Sequence, residues 1–200
     1  MESIQGERAL RVDALTLISR LASYYEVLID IGTGDGRFVR HMAIASPARF
    51  AIGVDACREN LRANSRSAPP NALYLITEAH ALPEALDRQA TQLTINFPWG
   101  SLLAGLLMGE PALLGRLAAV ARPNALLELR LNAGALAEAG WSLDDGGERI
   151  RQSLRAVGFG ARPPIALGQR ELHTCPTNWA RRLACGRDPR GLYIRGVYHE

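Results

Sequence analysis

Hydrophobic residues along the 200-residue chain follow two periods, and the switches between them mark the elements. Short apolar runs bounded by glycine, proline or an acid fall at 26–32, 49–56, 72–79, 91–97 and 125–132. Each has the length and continuity of a strand buried on both faces. Helical spacings lie between them. Positions 12, 15, 17, 18 and 21 make one apolar stripe over 12–24. A helix over 37–46 is stopped by Pro47, and one over 57–68 by Pro69-Pro70. A short helix is predicted over 83–90, a long apolar one over 100–121 ended by "RPN", and another over 145–160 with a glycine stop. Two last strands, 164–172 and 191–198, flank an Arg-rich segment with no crossover helix, which predicts an antiparallel pair. Five strand–helix cycles predict an α/β fold with a seven-stranded, mostly parallel, doubly wound sheet and that antiparallel pair at its end. A single domain is expected over 1–200, with 1–25 as an N-terminal extension and 176–190 as an Arg-rich loop between the last two strands.

Composition narrows the class. The apolar fraction of 48% is that of a globular chain. No apolar run reaches the ~18 residues of a membrane span, and "MESIQGERALRVD" has no signal-peptide core, so a cytoplasmic protein is expected. Cys57, Cys175 and Cys185 form no CxxC pair, which argues for reduced thiols and against a zinc site; no metal and no membrane partner are expected. Charge is lopsided: 13 Arg against 17 acids over 1–148, then 10 Arg against 3 acids over 149–200, with no lysine anywhere. A basic end suits either a polyanion partner or a solvated face.

In doubly wound sheets the ligand crevice lies at the carboxyl ends of the strands. "DIGTGDG", Asp30 to Gly36, falls there, between the first predicted parallel strand and its helix. Its glycines permit a tight turn and close approach of a ligand. The spacing is G-x-G-x-G rather than the dinucleotide G-x-G-x-x-G, and the lysine of a phosphate-binding P-loop is missing. An acid before the glycines and another, Asp55, ending the second strand suit a ligand with an ammonium and a ribose. Another nucleoside or a purely structural turn would also satisfy the motif. The arrangement over 26–132 resembles the Rossmann-like class I methyltransferases that use S-adenosylmethionine. The resemblance implies that Asp30, Gly32, Thr33, Gly34 and Gly36 hold the amino acid part of the cofactor and that Asp55 and Ala56 hold the ribose. Glu78 and Ala79 would flank the adenine, and Asn96 would also contact the cofactor. His80 is equally compatible with a solvated loop.

The fourth parallel strand runs into "INFPWGSLL", Ile95 to Leu103, where Trp99 lands on the functional rim. In class I enzymes acting on adenine amino groups this place often reads [D/N/S]PP[Y/F/W]; here Phe97 replaces the first proline. "INFPWGSLL", "DIGTGDG" and "TNWARRLACGRDPR" (177–190) together resemble the aminoglycoside-resistance 16S rRNA (adenine-N1) methyltransferases of the Kam type. That resemblance spans nearly the whole chain, least clearly 1–25 and 133–170. It implies methylation of N1 of adenine 1408, at the decoding site of 16S rRNA in the 30S subunit, by a protein expected to act as a monomer. Trp99 and Trp179 would stack on a flipped adenine, with Thr177 bonding the flipped nucleotide's backbone. Arg181, Arg182, Arg187 and Arg190 would contact phosphates. Trp141 reads as a packing residue. The alternatives are a methyltransferase for another RNA or a small molecule, and a silent RNA-binding homologue.

Overall fold

The structure, a computed structural model, describes residues 1–184 and 189–200, with the side chains of Trp179, Leu183 and Ala184 outside that description. Five parallel strands form its centre: β3 (Glu26–Ile31), β4 (Arg49–Asp55), β5 (Ala72–Ile76), β6 (Ala90–Asn96) and β7 (Ala121–Asn132), in the order β5-β4-β3-β6-β7. Their order reverses at β3–β6, so the carboxyl ends of those two strands open the crevice that such sheets use for ligands. Successive residues of β3 and β4 point to opposite faces, as the pleat requires. Val27, Ile29, Ile31, Phe50, Ile52 and Val54 enter the larger core, while Leu28 and Ala51 enter the smaller one. Helices α1 (Ala14–Leu21), α4 (Gly100–Met108), α5 (Pro111–Val120), α6 (Ala133–Glu138) and α7 (Leu143–Arg155) cover the first face. The second is covered by α2 (Arg37–Ala45) and α3 (Arg58–Ser65). Trp141 is half-buried against the larger core, as expected.

The sheet has nine strands rather than seven. The N-terminal extension contributes two of them, β1 (Glu2–Gln5) and β2 (Arg8–Arg11), a hairpin whose turn uses Gly6 at φ +62°. It joins the sheet through the antiparallel pairing of Ser3 with Leu75. The helix expected over 12–24 is the shorter α1, which starts where Asp13 accepts the amide of Thr16 at 2.9 Å. The long helix expected over 100–121 is two helices bent by 94°. Gly109 in the left-handed region ends the first, and Pro111 opens the second. The strand expected over 164–172 shrinks to β8 (Ile165–Ala166). The rest of that run and part of the expected 176–190 loop fold as α8 (Gln169–Thr174) and α9 (Asn178–Ala184). The last strand, β9 (Gly191–Val197), runs antiparallel to β8, and the pair closes one edge of the sheet as expected, with β9 next to β7 and β8 outermost. No single helix among the described residues is long and apolar enough to cross a membrane.

Candidate active site

A crevice of about 660 Å³ opens at the carboxyl ends of β3, β4, β5 and β6. One wall is the glycine loop after β3. Gly34 lies at φ +59°, and a Cβ there would meet no atom within 4 Å, so the backbone is exposed to whatever fills the crevice. Gly36 is required for the opposite reason: at φ +73° its Cβ would fall 2.4 Å from the ring of Tyr74. The loop is braced by Asp55, whose Oδ2 accepts the amide of Gly34 at 2.8 Å while Oδ1 accepts that of Cys57 at 2.9 Å. Asp55, Ala56, Glu78, Ala79 and His80 lie along the same crevice, His80 against Glu78 at 3.3 Å.

The floor is polar and buried. The register pairs Asp30 with Thr94 and Asn96 with Arg130, so three strands place these side chains at one level. Asp30 Oδ1 accepts from Thr94 Oγ1 at 2.6 Å and from Asn96 Nδ2 at 2.9 Å. Asn96 Oδ1 accepts from the Arg130 guanidinium at 2.9 Å. Burial pushes the Asp30 carboxyl up to about 6, against the pull of the nearby Thr33 hydroxyl, of the bonds from Thr94 and Asn96, and of the charge of Arg130. Its Oδ2 is buried without a hydrogen-bond partner among the described residues. An orphaned carboxylate oxygen at this depth calls for a cationic or donating ligand group. With Asp55 and Glu78 on the same crevice, the donor set fits an ammonium at one end and a diol further out.

Trp99 stands on the outer rim, 42% exposed, at the N-terminus of α4. Phe97, two residues earlier, is buried at φ +54°, a conformation that costs a bulky residue on the order of 1–3 kcal/mol. The cost is offset by packing: Phe97 forms a separate small core with Leu172, Cys175 and Ala180 from α8 and α9. The loop that carries Trp99 is therefore built onto the helices that carry Arg181, Arg182 and the backbone of Trp179. Thr177 lines the crevice, and its hydroxyl accepts the amide of Ala180 at 2.9 Å as a helix cap. Asn178 also lines the crevice and donates to Asp35 of the glycine loop.

Arg182 reaches the crevice, and Arg181 and Arg190 are exposed. The Trp179 side chain and Arg187 lie outside the described residues. Not all of the basic end faces outward: Arg149 Nε donates to the Leu107 carbonyl at the end of α4, and Arg151 pairs with Glu148. Sequence reasoning missed Thr77, Ser101, Leu102 and Asn178 on the crevice, and Arg130 beneath it. Ser101 and Leu102 lay inside the quoted "INFPWGSLL" stretch, and Thr77 and Asn178 beside the singled-out Glu78 and Trp179; Arg130 stood near no signal.

A sheet of this order, with a reversed strand beside the last parallel one, a glycine loop after β3 and an acid ending β4, defines a class I methyltransferase fold. Solved structures agree. The 16S rRNA methyltransferase KamB superposes with a TM-score of 0.89 at 28% identity, covering all of both chains. A variant of the 16S rRNA (adenine(1408)-N(1))-methyltransferase of Catenulisporales acidiphilia, with cosubstrate SAM, gives 0.87 at 26% identity over 100% of this chain and 97% of that one. Residues 2–198 match the NpmA family, 16S rRNA (adenine(1408)-N(1))-methyltransferase, and the chain belongs to that family. Among its relatives, the enzyme of that description from Streptoalloteichus hindustanus is 31% identical over 94% of each chain. The one from Escherichia coli is 27% identical over 92% of each.

Proposed function

We propose that this protein transfers a methyl group from S-adenosylmethionine to N1 of adenine 1408 of 16S rRNA in the 30S subunit, and so confers aminoglycoside resistance. The observation that carries this reading is the joining of a cofactor-sized crevice, floored by a carboxylate oxygen with no partner among the described residues, to a Trp-bearing rim in a chain of this family. When bound, S-adenosylmethionine supplies an electrophilic methyl on a sulfonium. Asp30, Gly32, Thr33, Gly34 and Gly36 would hold its amino acid part, Asp55 and Ala56 the ribose, Glu78 and Ala79 the adenine edge, with Asn96 keeping Asp30 oriented. N1 of adenine lies on the Watson–Crick edge and is reached only when the base leaves its stack. Trp99 and Trp179 would take the extruded base, each stack contributing on the order of 1–3 kcal/mol, and Thr177 would bond its backbone. N1 already has its lone pair at neutral pH, so no side chain has to remove a proton. The methylated ring is a cation, which an aromatic face favours. Catalysis then rests mainly on positioning N1 in line with the methyl–sulfonium bond. Arg181, Arg182, Arg187 and Arg190 would hold phosphates by charge and shape.

Primer extension tests the reading directly. After 30S subunits are incubated with the protein and S-adenosylmethionine, reverse transcription should stop next to the decoding-site adenine. An unmodified 16S rRNA at saturating cofactor would refute it.

A further inference from the structure

Among the described residues, the helix that begins at Asn178 meets the rest of the rim at an apolar point and at a polar one. The apolar one is the small core of Phe97, Leu172, Cys175 and Ala180, which ties α8 and α9 to the loop of Trp99. The polar one is the hydrogen bond from Asn178 Nδ2 to Asp35 Oδ2, across 143 residues of chain. Asp35 is itself held: its Oδ1 accepts the amide of Arg37 at 3.1 Å, its carbonyl accepts Asn64 Nδ2 at 2.7 Å, and the Arg37 guanidinium lies 3.8 Å from Oδ2. Asp35 also follows Gly34 in the loop that forms the crevice wall, and it lines the crevice itself. The helix cap at Thr177 explains the start of α9 without Asn178, so the amide is not needed to form the helix. What the amide fixes is where the helix stands relative to the glycine loop.

We propose that Asn178 is a positioning residue that latches the Trp179 helix onto the cofactor loop through Asp35. The wall that holds the methyl donor and the helix that holds the target base then move as one body. Phe97 supplies the second attachment, so both tryptophan-bearing segments are registered against one frame. The inference rests on the methyltransferase reading above for its catalytic consequence, but not for the latch itself.

An amide–carboxylate exchange tests it. Asn178→Ala removes the donor, and Asn178→Asp sets two carboxylates against each other. The double variant Asp35→Asn with Asn178→Asp restores a donor–acceptor pair in reverse. Turnover on 30S subunits, S-adenosylmethionine affinity by calorimetry, and hydrogen exchange of the 178–184 amides at saturating cofactor are measured for each. Both single Asn178 variants should lose at least about tenfold in kcat, the loss expected for a hydrogen bond to a charged group, with cofactor affinity held within about twofold. Exchange in 178–184 should quicken while exchange in the β3–β7 sheet stays unchanged, which reports an intact fold. The double variant should recover both kcat and exchange protection, a result that loss of a merely structural contact would not produce. Equal turnover and exchange in all variants, or single-variant losses that the exchange does not rescue, would overturn the latch. If wild type leaves 30S subunits unmethylated while exchange in 178–184 still follows the pairing, the latch stands and the functional reading falls.

Discussion

The sharpest expectation concerns Asp30. The wild-type carboxylate is held at the floor of the crevice with its carboxyl raised from 3.8 to about 6, chiefly by burial. Asp30→Asn keeps the oxygen that accepts from Thr94 and Asn96 and places an uncharged amide where Oδ2 lacks a partner. At 1.36 kcal/mol for each pH unit, the displacement from 3.8 to about 6 corresponds to about 3 kcal/mol of native stability lost by carrying the charge. The sign follows from proton counts. Between pH 3.8 and about 6 the folded protein holds a proton that the unfolded chain has released, so stability falls as pH rises through that window and is flat above it. The ligand-free Asn variant should therefore be more stable than wild type by up to about 3 kcal/mol at pH 7.5. For a chain of this size that raises Tm by on the order of 6–12 °C. The advantage should shrink by about 1.4 kcal/mol at pH 5, where most native Asp30 is already protonated. Cofactor binding should move the other way, falling at least about tenfold because the ammonium loses its charged partner. Urea unfolding at pH 5 and 7.5, beside calorimetric titration with S-adenosylmethionine, reads both. A variant no more stable than wild type at pH 7.5, or one that binds cofactor as tightly, would refute the assignment of Asp30 as a charge held in reserve for a ligand.

Asp55→Ala should weaken S-adenosylmethionine at least about tenfold in calorimetry, because the ribose loses its acceptor and the Gly34 amide its brace, while the thermal melt stays cooperative. Trp99→Ala and Trp179→Ala should each lower methylation far more than 30S binding, and Trp99→Phe should retain part of the activity because a smaller face still stacks; unchanged methylation in primer extension would count against the stacking role. Affinity for 30S subunits should fall steeply between 50 and 200 mM salt, and Arg181→Ala or Arg182→Ala should each reduce the slope of log affinity against log salt by about one.

The cofactor loop was legible in the sequence because its constraint is local: an acid, three glycines and a following helix are contiguous, and the physics that demands them acts over seven residues. Trp99 was legible for the same reason, being stranded past a strand and a proline. The floor was not. Asp30, Asn96 and Arg130 meet only because β3, β6 and β7 adopt one register, and nothing in the neighbourhood of Arg130 sets it apart from a solvated arginine. The N-terminal hairpin escaped notice because only Ser3 and Ile4 of its eight strand residues are buried, too few to give an alternating pattern. The break in the 100–121 helix was written plainly as Gly109-Glu110-Pro111, but the apolar stripes on both sides drew the reading across it. At 164–172 the β-like residues end at Gly168, after which tertiary packing around Phe97 decides for helix.

The two rims of the sheet have a bearing on how this protein behaves when crowded. At one end β2 exposes all four of its residues, with arginine at both ends; at the other, β8 is two residues long. A long flat border of unpaired amides and carbonyls would invite another chain to continue the ladder, the first step toward fibrils. Here the first border repels by charge and the second is too short to template a partner. The five parallel strands between them are thereby kept from recruiting copies of themselves.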